Sequence, residues 1–190
     1  MPARIYRDLV LPPGDAPQGT TTGEAALTAV RLPNGFRLPP SYRDFVRTLG
    51  YGLLCHFFII YVPIPGHCED LETQSARLAA FFRQGVEEEW FEYEPDGDPE
   101  QVRRLVPFGI SENGDFLAWD PEEATGPNEC AVYLIGYKFG GVRRAASDLY
   151  DLVARCLDRR LETTIGEAVS LLDDTFRPCA ITVPGDPRVE

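Results

Sequence analysis

The chain has 190 residues, of which 44% are hydrophobic and 25% are charged, so it can bury the core of one domain and is not globally disordered. Asp and Glu number 30 against 18 Lys and Arg, which gives a formal net charge of −12. A chain of this charge repels phosphate backbones and anionic lipid surfaces. Composition therefore disfavours nucleic acid and membranes as partners.

Targeting and redox state are indicated by the apolar runs and the cysteines. The longest apolar run, residues 53–62, is interrupted by His56 and is shorter than the ~20 residues of a membrane-spanning helix. The first ten residues carry charges and no apolar signal-peptide core. Five cysteines, an odd number, predict reduced thiols. We expect a cytoplasmic protein without a secretory signal.

The N-terminal third predicts an arm followed by two helices. Residues 11–20 are rich in Pro and Gly, which favours an extended N-terminal arm over residues 1–20. Thr21 and Glu24 form a capping box before a short amphipathic helix. Residues 38–52 predict a second helix that begins at Pro40 or Ser41 and ends at Gly50, with its apolar residues on one stripe.

The middle of the chain predicts a helix among several strands. Residues 53–62 read as one strand that is covered on both faces. Helical spacing returns over residues 69–90, with Gly85 as a weak point. Further strands are predicted over residues 105–110, 115–120, 130–139 and 142–145, the first two joined by a hairpin at Asn113-Gly114.

The C-terminal third predicts two more helices and a tail. Ser147 is the expected cap of the first helix, and Thr164 with Glu167 forms a capping box for a second that runs to Leu172. The tail, residues 178–190, holds three prolines and is expected to be extended or loose. The order predicts an α+β fold in which a central antiparallel-rich, mixed β-sheet is flanked by helices. We place the domain at residues 21–160 and the last helix and tail at residues 161–190.

Enzyme chemistry has little support in the sequence. His56 and His67 are the only imidazole bases, and neither a G-x-S-x-G elbow nor a phosphate-binding glycine motif is present. Cys55 and His56 are adjacent, so on a strand they would point to opposite faces. We predict no catalytic residues and a protein that is not an enzyme.

Two groups of residues have side chains of the types that bind metal ions. Cys55-His56 and His67-Cys68 are zinc-ligand types, but their spacing matches no zinc clamp. The Asp96 and Asp98 pair lacks the further oxygen ligands of a calcium loop. We predict neither a metal nor a cofactor, and a small metal-dependent enzyme is the third-ranked alternative.

One charged stretch, residues 87–100, is called here the acidic-aromatic segment. Eight of its fourteen residues are acidic and none is basic, while Trp90, Phe91 and Tyr93 lie between the carboxylates. It can be a solvated loop whose aromatic rings anchor it to the protein's own core. It can equally be a docking surface on which the rings bury and the acids attract a basic partner. The residues alone leave both interpretations open.

Three stretches in order resemble the SUKH superfamily, the Smi/Knr type. They are LPPSYRDFVRTLGYG at residues 38–52, LVPFGISENGDFLAWD at residues 105–120 and AVYLIGYKFGGVRRAASDLYDLV at residues 131–153. The first resembles the family's leucine-proline pair and aromatic-rich helix, the second its strand pair, and the third its closing strand and helix. The resemblance covers residues 24–157 and implies the same α+β fold, with 87–100 as an acidic insertion.

The resemblance also implies a function. Many bacterial members are similar to immunity proteins that bind a toxin in the cytoplasm, and many of those toxins are nucleases with cationic active sites. We therefore predict a non-enzymatic immunity protein whose partner is a basic protein, a nuclease-type toxin domain. The alternative is a regulatory or scaffold protein of the same fold without a toxin partner. The sequence makes no prediction of the oligomeric state. The predicted contact residues are Glu88, Glu89, Trp90, Glu92, Tyr93, Glu94, Asp96 and Asp98.

Overall fold

The computed structural model describes residues 2–11 and 24–181. Its α-helices are α1 (Glu24–Ala29), α2 (Pro40–Thr48), α3 (Leu71–Glu87), α4 (Pro99–Arg104), α5 (Leu149–Leu157) and α6 (Glu162–Ile165). Its strands are β1 (Gly52–Leu54), β2 (Phe58–Ile60), β3 (Glu92–Pro95), β4 (Val106–Ser111), β5 (Phe116–Gly126), β6 (Glu129–Ile135), β7 (Gly140–Ala146) and β8 (Phe176–Pro178). Thr21 of the first capping box, most of the predicted arm and the end of the tail lie outside the described residues.

All eight strands join one sheet in the order β3-β7-β6-β5-β4-β2-β1-β8. The pairing of β3 with β7 is parallel, and the other six pairings are antiparallel. Helices lie against both faces of this sheet. The predicted α+β fold, with a mixed and antiparallel-rich sheet flanked by helices, is confirmed.

The sheet is buried on both faces because its central strands alternate between two cores. Cys130, Val132 and Leu134 of β6 belong to the larger core, which α2 and α5 cover. The residues between them, Ala131, Tyr133 and Ile135, belong to a smaller core. The second half of α3 and helix α4 cover this smaller core. Successive side chains of a strand point to opposite faces of the sheet, so a strand that is covered on both faces is apolar at every position.

Helix α2 fixes the larger core through aromatic contacts. Tyr42 and Phe45 are fully buried on its inner stripe. The Tyr42 hydroxyl donates a hydrogen bond of 2.7 Å to the carbonyl oxygen of Tyr61. The Trp119 ring lies edge to face with Tyr42 and is stacked on Phe108 at 4.0 Å between ring centroids. This contact joins the helix to β4 and β5 and confirms the helix predicted from residues 38–52.

The prediction of one strand over residues 53–62 is wrong, because the run is a hairpin. Strands β1 and β2 pair antiparallel, and the Phe57 N–H closes the turn on the Leu54 carbonyl oxygen at 3.0 Å. Cys55 and His56 occupy the turn with φ of 52° and 55°. Positive φ at both central positions of this four-residue turn is the conformation whose twist matches that of paired antiparallel strands. The run holds no Gly, Pro or Asn at the turn, so apolar periodicity alone did not reveal the reversal.

Two predictions near the C-terminus also need correction. The cap of α5 is Asp148, whose carboxylate accepts the Asp151 N–H at 2.8 Å, whereas Ser147 donates to the Asp151 carboxylate. The single helix from Thr164 to Leu172 is divided. Gly166, with φ of 59°, ends α6, and a 3₁₀ helix follows over Gly166–Leu171.

Both ends of the described chain contribute to the larger core. Residues 2–7 form a 3₁₀ helix in which Tyr6 is buried and stacks on Tyr150 at 5.1 Å between centroids. Strand β8 pairs with β1 at one edge of the sheet and buries Phe176. The segment that the sequence assigns to an arm, and the strand just before the predicted tail, therefore supply core side chains.

Candidate partner-binding surface

The acidic-aromatic segment occupies one edge of the sheet. Helix α3 ends at the first residue of the segment in a Schellman-type turn: Glu89 has φ of 57°, and the Trp90 N–H donates to the Gly85 carbonyl oxygen at 2.8 Å. The chain then reverses and enters β3, the outermost strand, where Glu92 lies opposite Gly140 of β7. The segment is therefore an edge strand with its flanking turns, not a free loop.

The three aromatic rings seat this segment on the smaller core. Phe91 is buried, with its ring centroid 4.5 Å from that of Phe139. Tyr93 is half-buried and stacks on Phe91 at 5.8 Å. Trp90 contacts Phe139 at 5.8 Å between centroids and remains 38% exposed. The rings thus anchor the segment to the protein's own core, which was one of the two interpretations. Trp90 and Tyr93 also remain partly exposed to solvent.

Gly85 makes room for these rings. The sequence singles it out as a weak point of α3, but it is buried against the segment. A Cβ at this position would lie 2.7 Å from the ring of Phe91 and 3.1 Å from that of Trp90. Only a residue without a side chain lets the aromatic rings approach the helix this closely.

The six predicted carboxylates divide into two groups. Glu88, Glu89, Glu92 and Glu94 are exposed, and we call these four the glutamate strip. Glu88 accepts a hydrogen bond from the Gln84 side-chain amide at 2.8 Å. The other three make no side-chain hydrogen bond or ion pair with any residue in the described ranges.

The two aspartates hold the fold. The Asp96 carboxylate accepts the backbone N–H of Arg144 at 3.0 Å. Asp98 caps α4 by accepting the Gln101 N–H at 2.8 Å. Both side chains lie on the same edge as the glutamate strip, but their carboxylates already have partners within the protein.

A buried ion pair secures α4 beneath this edge. Asp120 of β5 is fully buried and accepts two hydrogen bonds of 2.8 Å from the Arg104 guanidinium and one of 3.0 Å from the Gln101 amide. Burial opposes ionisation, but the hydrogen bonds from Arg104 and Gln101 outweigh it and hold the pKa of Asp120 below its ordinary value. Every charge here is paired, so the cluster stabilises the fold and offers no general acid or base.

The Cys and His residues weighed as a metal site do not form one in the described residues. Across residues 2–11 and 24–181, no group of three or more His, Cys, Asp or Glu side chains is arranged to hold a metal ion. A hydrogen bond with Cys156, together with burial, raises the pKa of the Cys55 thiol far above its ordinary value. His56 is exposed on the hairpin turn, and His67 packs its ring on Tyr51.

One exposed aromatic residue escaped the sequence reasoning. The strand predicted to Phe139 ends at Ile135, and a 3₁₀ turn over Tyr137–Phe139 follows it. Tyr137 in this turn is 59% exposed, more than any other aromatic residue of the described chain. The glycines on both sides of YKF, at Gly136 and Gly140, are the signal that could have indicated a turn.

The comparisons with known proteins agree with the geometry of the fold. The family model of the SMI1 / KNR4 family (SUKH-1) matches residues 22–155, well over half of the chain. The matched range contains the three stretches that resemble the family and the whole acidic-aromatic segment. No curated protein and no solved structure matches the chain. Over the described residues, no helix has the length and apolar character needed to cross a membrane.

Proposed function

The chain belongs to the SMI1/KNR4 family (SUKH-1), and from this premise we propose that it is a cytoplasmic immunity protein that neutralises a basic, nuclease-type toxin. Family membership is consistent with a non-enzymatic, immunity-type protein. The proposal adds the partner's charge and the surface that binds it, which is the glutamate strip together with Trp90 and Tyr93.

The observation that carries the proposal is a row of exposed carboxylates around a half-exposed indole. Four glutamates lie within seven residues at one sheet edge, and none of them has a cationic partner in the part of the chain that the structure describes. Like charges held this close raise the free energy of the unbound protein. A cationic partner removes that repulsion, while an exposed Trp supplies buried apolar area to the interface.

Neutralisation follows from competition for a cationic site. A nuclease must attract the phosphates of its substrate, so the groove that binds nucleic acid is rich in Arg and Lys. Carboxylates on a rigid strand edge can occupy such a groove and exclude the substrate. Such blocking needs no bond to be made or broken by the immunity protein.

The test is rescue of growth. Cells that express the proposed partner, a basic nuclease-type toxin domain, should survive when the wild-type chain is co-expressed. Reversal of the glutamate strip to Lys at all four positions should abolish survival, because each reversal shifts the charge by +2 and replaces attraction with repulsion.

A matched variant controls for net charge. Asp8, Asp158, Glu167 and Asp174 are exposed carboxylates outside the acidic-aromatic segment, and reversing these four changes the total charge by the same amount. The control variant should protect as well as the wild type. Equal protection by both variants would refute the surface. If the wild type neither co-purified with the toxin domain nor protected the cells, the scaffold alternative would be favoured instead.

A further inference from the structure

We propose that Tyr137 is the aromatic anchor of the partner-binding surface and that the cavity beside it receives a Lys or Arg side chain of the same basic partner. This inference rests on the proposed function and extends it to residues outside the acidic-aromatic segment. Tyr137 and the cavity limit the rate of dissociation, whereas the glutamate strip raises the rate of association.

Tyr137 is exposed yet held in place. Its backbone N–H donates to the Asp115 carboxylate at 2.8 Å, which ties the turn to the β4–β5 hairpin. Its ring lies over Gly114, where a Cβ would come within 3.0 Å of the Tyr137 ring. A large aromatic side chain that is already positioned loses little conformational freedom on binding, so most of its burial contributes to affinity.

The turn that carries Tyr137 adjoins the acidic-aromatic segment directly. The Phe139 ring contacts Phe91 and Trp90, and Gly140 lies opposite Glu92 in the sheet. One partner face can therefore cover Trp90, the glutamate strip and Tyr137 together.

The backbone of the turn is strained in a way that sends its two rings in different directions. Lys138 and Phe139 are consecutive non-glycine residues with φ of 54° and 61°, in the left-handed region that costs free energy for any residue with a Cβ. Phe139 packs against Phe91 and Phe81, while Tyr137 stays exposed. Strain of this kind persists where the surrounding contacts enforce it, and it is common at binding sites.

The cavity beside Tyr137 has a volume of about 620 Å³, enough for one long side chain. Two carboxylates and one guanidinium line it. Asp115 is engaged by Tyr137 and Ser111, and Arg143 donates to the Gly140 carbonyl oxygen at 3.0 Å. Glu162 is exposed and makes no ion pair within the described residues. The open carboxylate of Glu162 selects a cationic side chain, which matches the charge of the partner that the glutamate strip attracts.

Lys138 limits how the partner meets the ring. Its ammonium group lies over Tyr137, 5.2 Å from the ring centroid. That face of the ring is already covered by a cation. The partner therefore contacts the exposed remainder of the ring.

The direct test is the affinity of the purified chain for the proposed partner, a basic nuclease-type toxin domain. Tyr137→Ala should raise Kd by about 30-fold, as expected for an interface hot spot, mainly through faster dissociation. The loss should be the same at low and at high salt, because it is a loss of apolar contact. Tyr137→Phe should restore binding. Glu162→Gln should weaken it about fivefold and lower its salt dependence.

Val10→Ala is the matched control. Val10 is 49% exposed and bridges to Thr175 beside β8, at the opposite edge of the sheet, so its substitution should leave Kd unchanged. Wild-type affinity for Tyr137→Ala, with the glutamate-strip variant impaired, would overturn this inference and leave the proposed function standing. Failure of the wild-type chain itself to bind would overturn both.

A second measurement needs no toxin. Hexa-arginine peptide titrated into the labelled chain should shift the backbone amide signals of residues 113–115 and 137–140 as well as those of the glutamate strip, and hexaglutamate should shift neither. Shifts confined to the glutamate strip would show that the turn and cavity take no cationic side chain, which contradicts the inference.

Discussion

Two residues in the β1–β2 turn show how a local conformational cost is tolerated. Cys55 and His56 both have positive φ, but only Cys55 is buried, and its thiol fills the larger core. His56 is exposed and makes no side-chain hydrogen bond among the described residues, so the core gains nothing from its side chain. The left-handed conformation costs ~1–2 kcal/mol for a residue with a Cβ.

Replacing His56 by Gly should stabilise the protein. Gly adopts positive φ without steric cost, and its greater freedom in the unfolded chain offsets part of this gain, so we expect about 0.5–1 kcal/mol. Urea unfolding measures the change. His56→Ala keeps the Cβ and should give no gain. Equal stability of the two variants would contradict the turn geometry.

Asp120 makes a prediction about pH. Its pKa is lower in the folded protein than in the unfolded chain, so its ionisation stabilises the fold above the unfolded pKa of ~3.9. This contribution is lost as the pH falls through the lower, folded value. Asp120→Asn should therefore reduce the free energy of unfolding by about 2–3 kcal/mol at neutral pH, since it leaves the Arg104 charge without its buried partner.

The difference in the free energy of unfolding between the wild type and Asp120→Asn should shrink as the pH falls below the unfolded pKa of ~3.9. Denaturant unfolding at a series of pH values measures this difference. Asp158→Asn is the control, because Asp158 pairs with Arg160 on the exposed surface, where such a pair contributes less than about 1 kcal/mol. A loss for Asp120→Asn that is independent of pH would contradict the role assigned to this ion pair.

At the scale of elements, Gly85 couples α3 to the acidic-aromatic segment. In an exposed helix, Gly→Ala stabilises by ~1 kcal/mol through helix propensity. Here the added methyl group would meet the rings of Phe91 and Trp90, and we expect Gly85→Ala to destabilise by about 1–2 kcal/mol instead. Because the displaced rings include Trp90, the fluorescence of the protein should also change.

Gly126→Ala provides the comparison for Gly85→Ala. A Cβ at Gly126 would meet only ordinary contacts, the nearest at 3.6 Å, so this substitution should leave both unfolding and fluorescence near the wild-type values. If Gly85→Ala proved as stable as the wild type with unchanged fluorescence, the close packing of Trp90 and Phe91 against Gly85 would be wrong.

The elements differ in how far the sequence predicts them. Helices α2, α3 and α5 each carry an apolar stripe and a stop or cap signal, and the Asn113-Gly114 hairpin has a strong turn signature. The β1–β2 hairpin and the Tyr137–Phe139 turn put non-glycine residues at positive φ. Tertiary contacts enforce those conformations. Flanking glycines mark the place of the second turn, but the residues of the first turn carry no turn signal.

At the scale of the whole molecule, part of the candidate surface can be predicted from the sequence and part of it cannot. A run of eight acids can be assigned to the surface from composition alone, because unpaired carboxylates are not buried. Its place on a sheet edge depends on pairing between β3 and β7, which brings Asp96 to Arg144 across 48 residues. Tyr137 joins the surface through that same long-range pairing, and for this reason the sequence pattern did not reveal it.

Binding of a basic toxin by the glutamate strip is tested most directly by the affinity of the purified chain for a basic, nuclease-type toxin domain. We expect tight binding that weakens with salt and falls at least 100-fold when the strip is reversed to Lys, with little change in the matched control of Asp8, Asp158, Glu167 and Asp174. Equal losses in the two variants, or binding by the reversed strip as tight as that of the wild type, would contradict it.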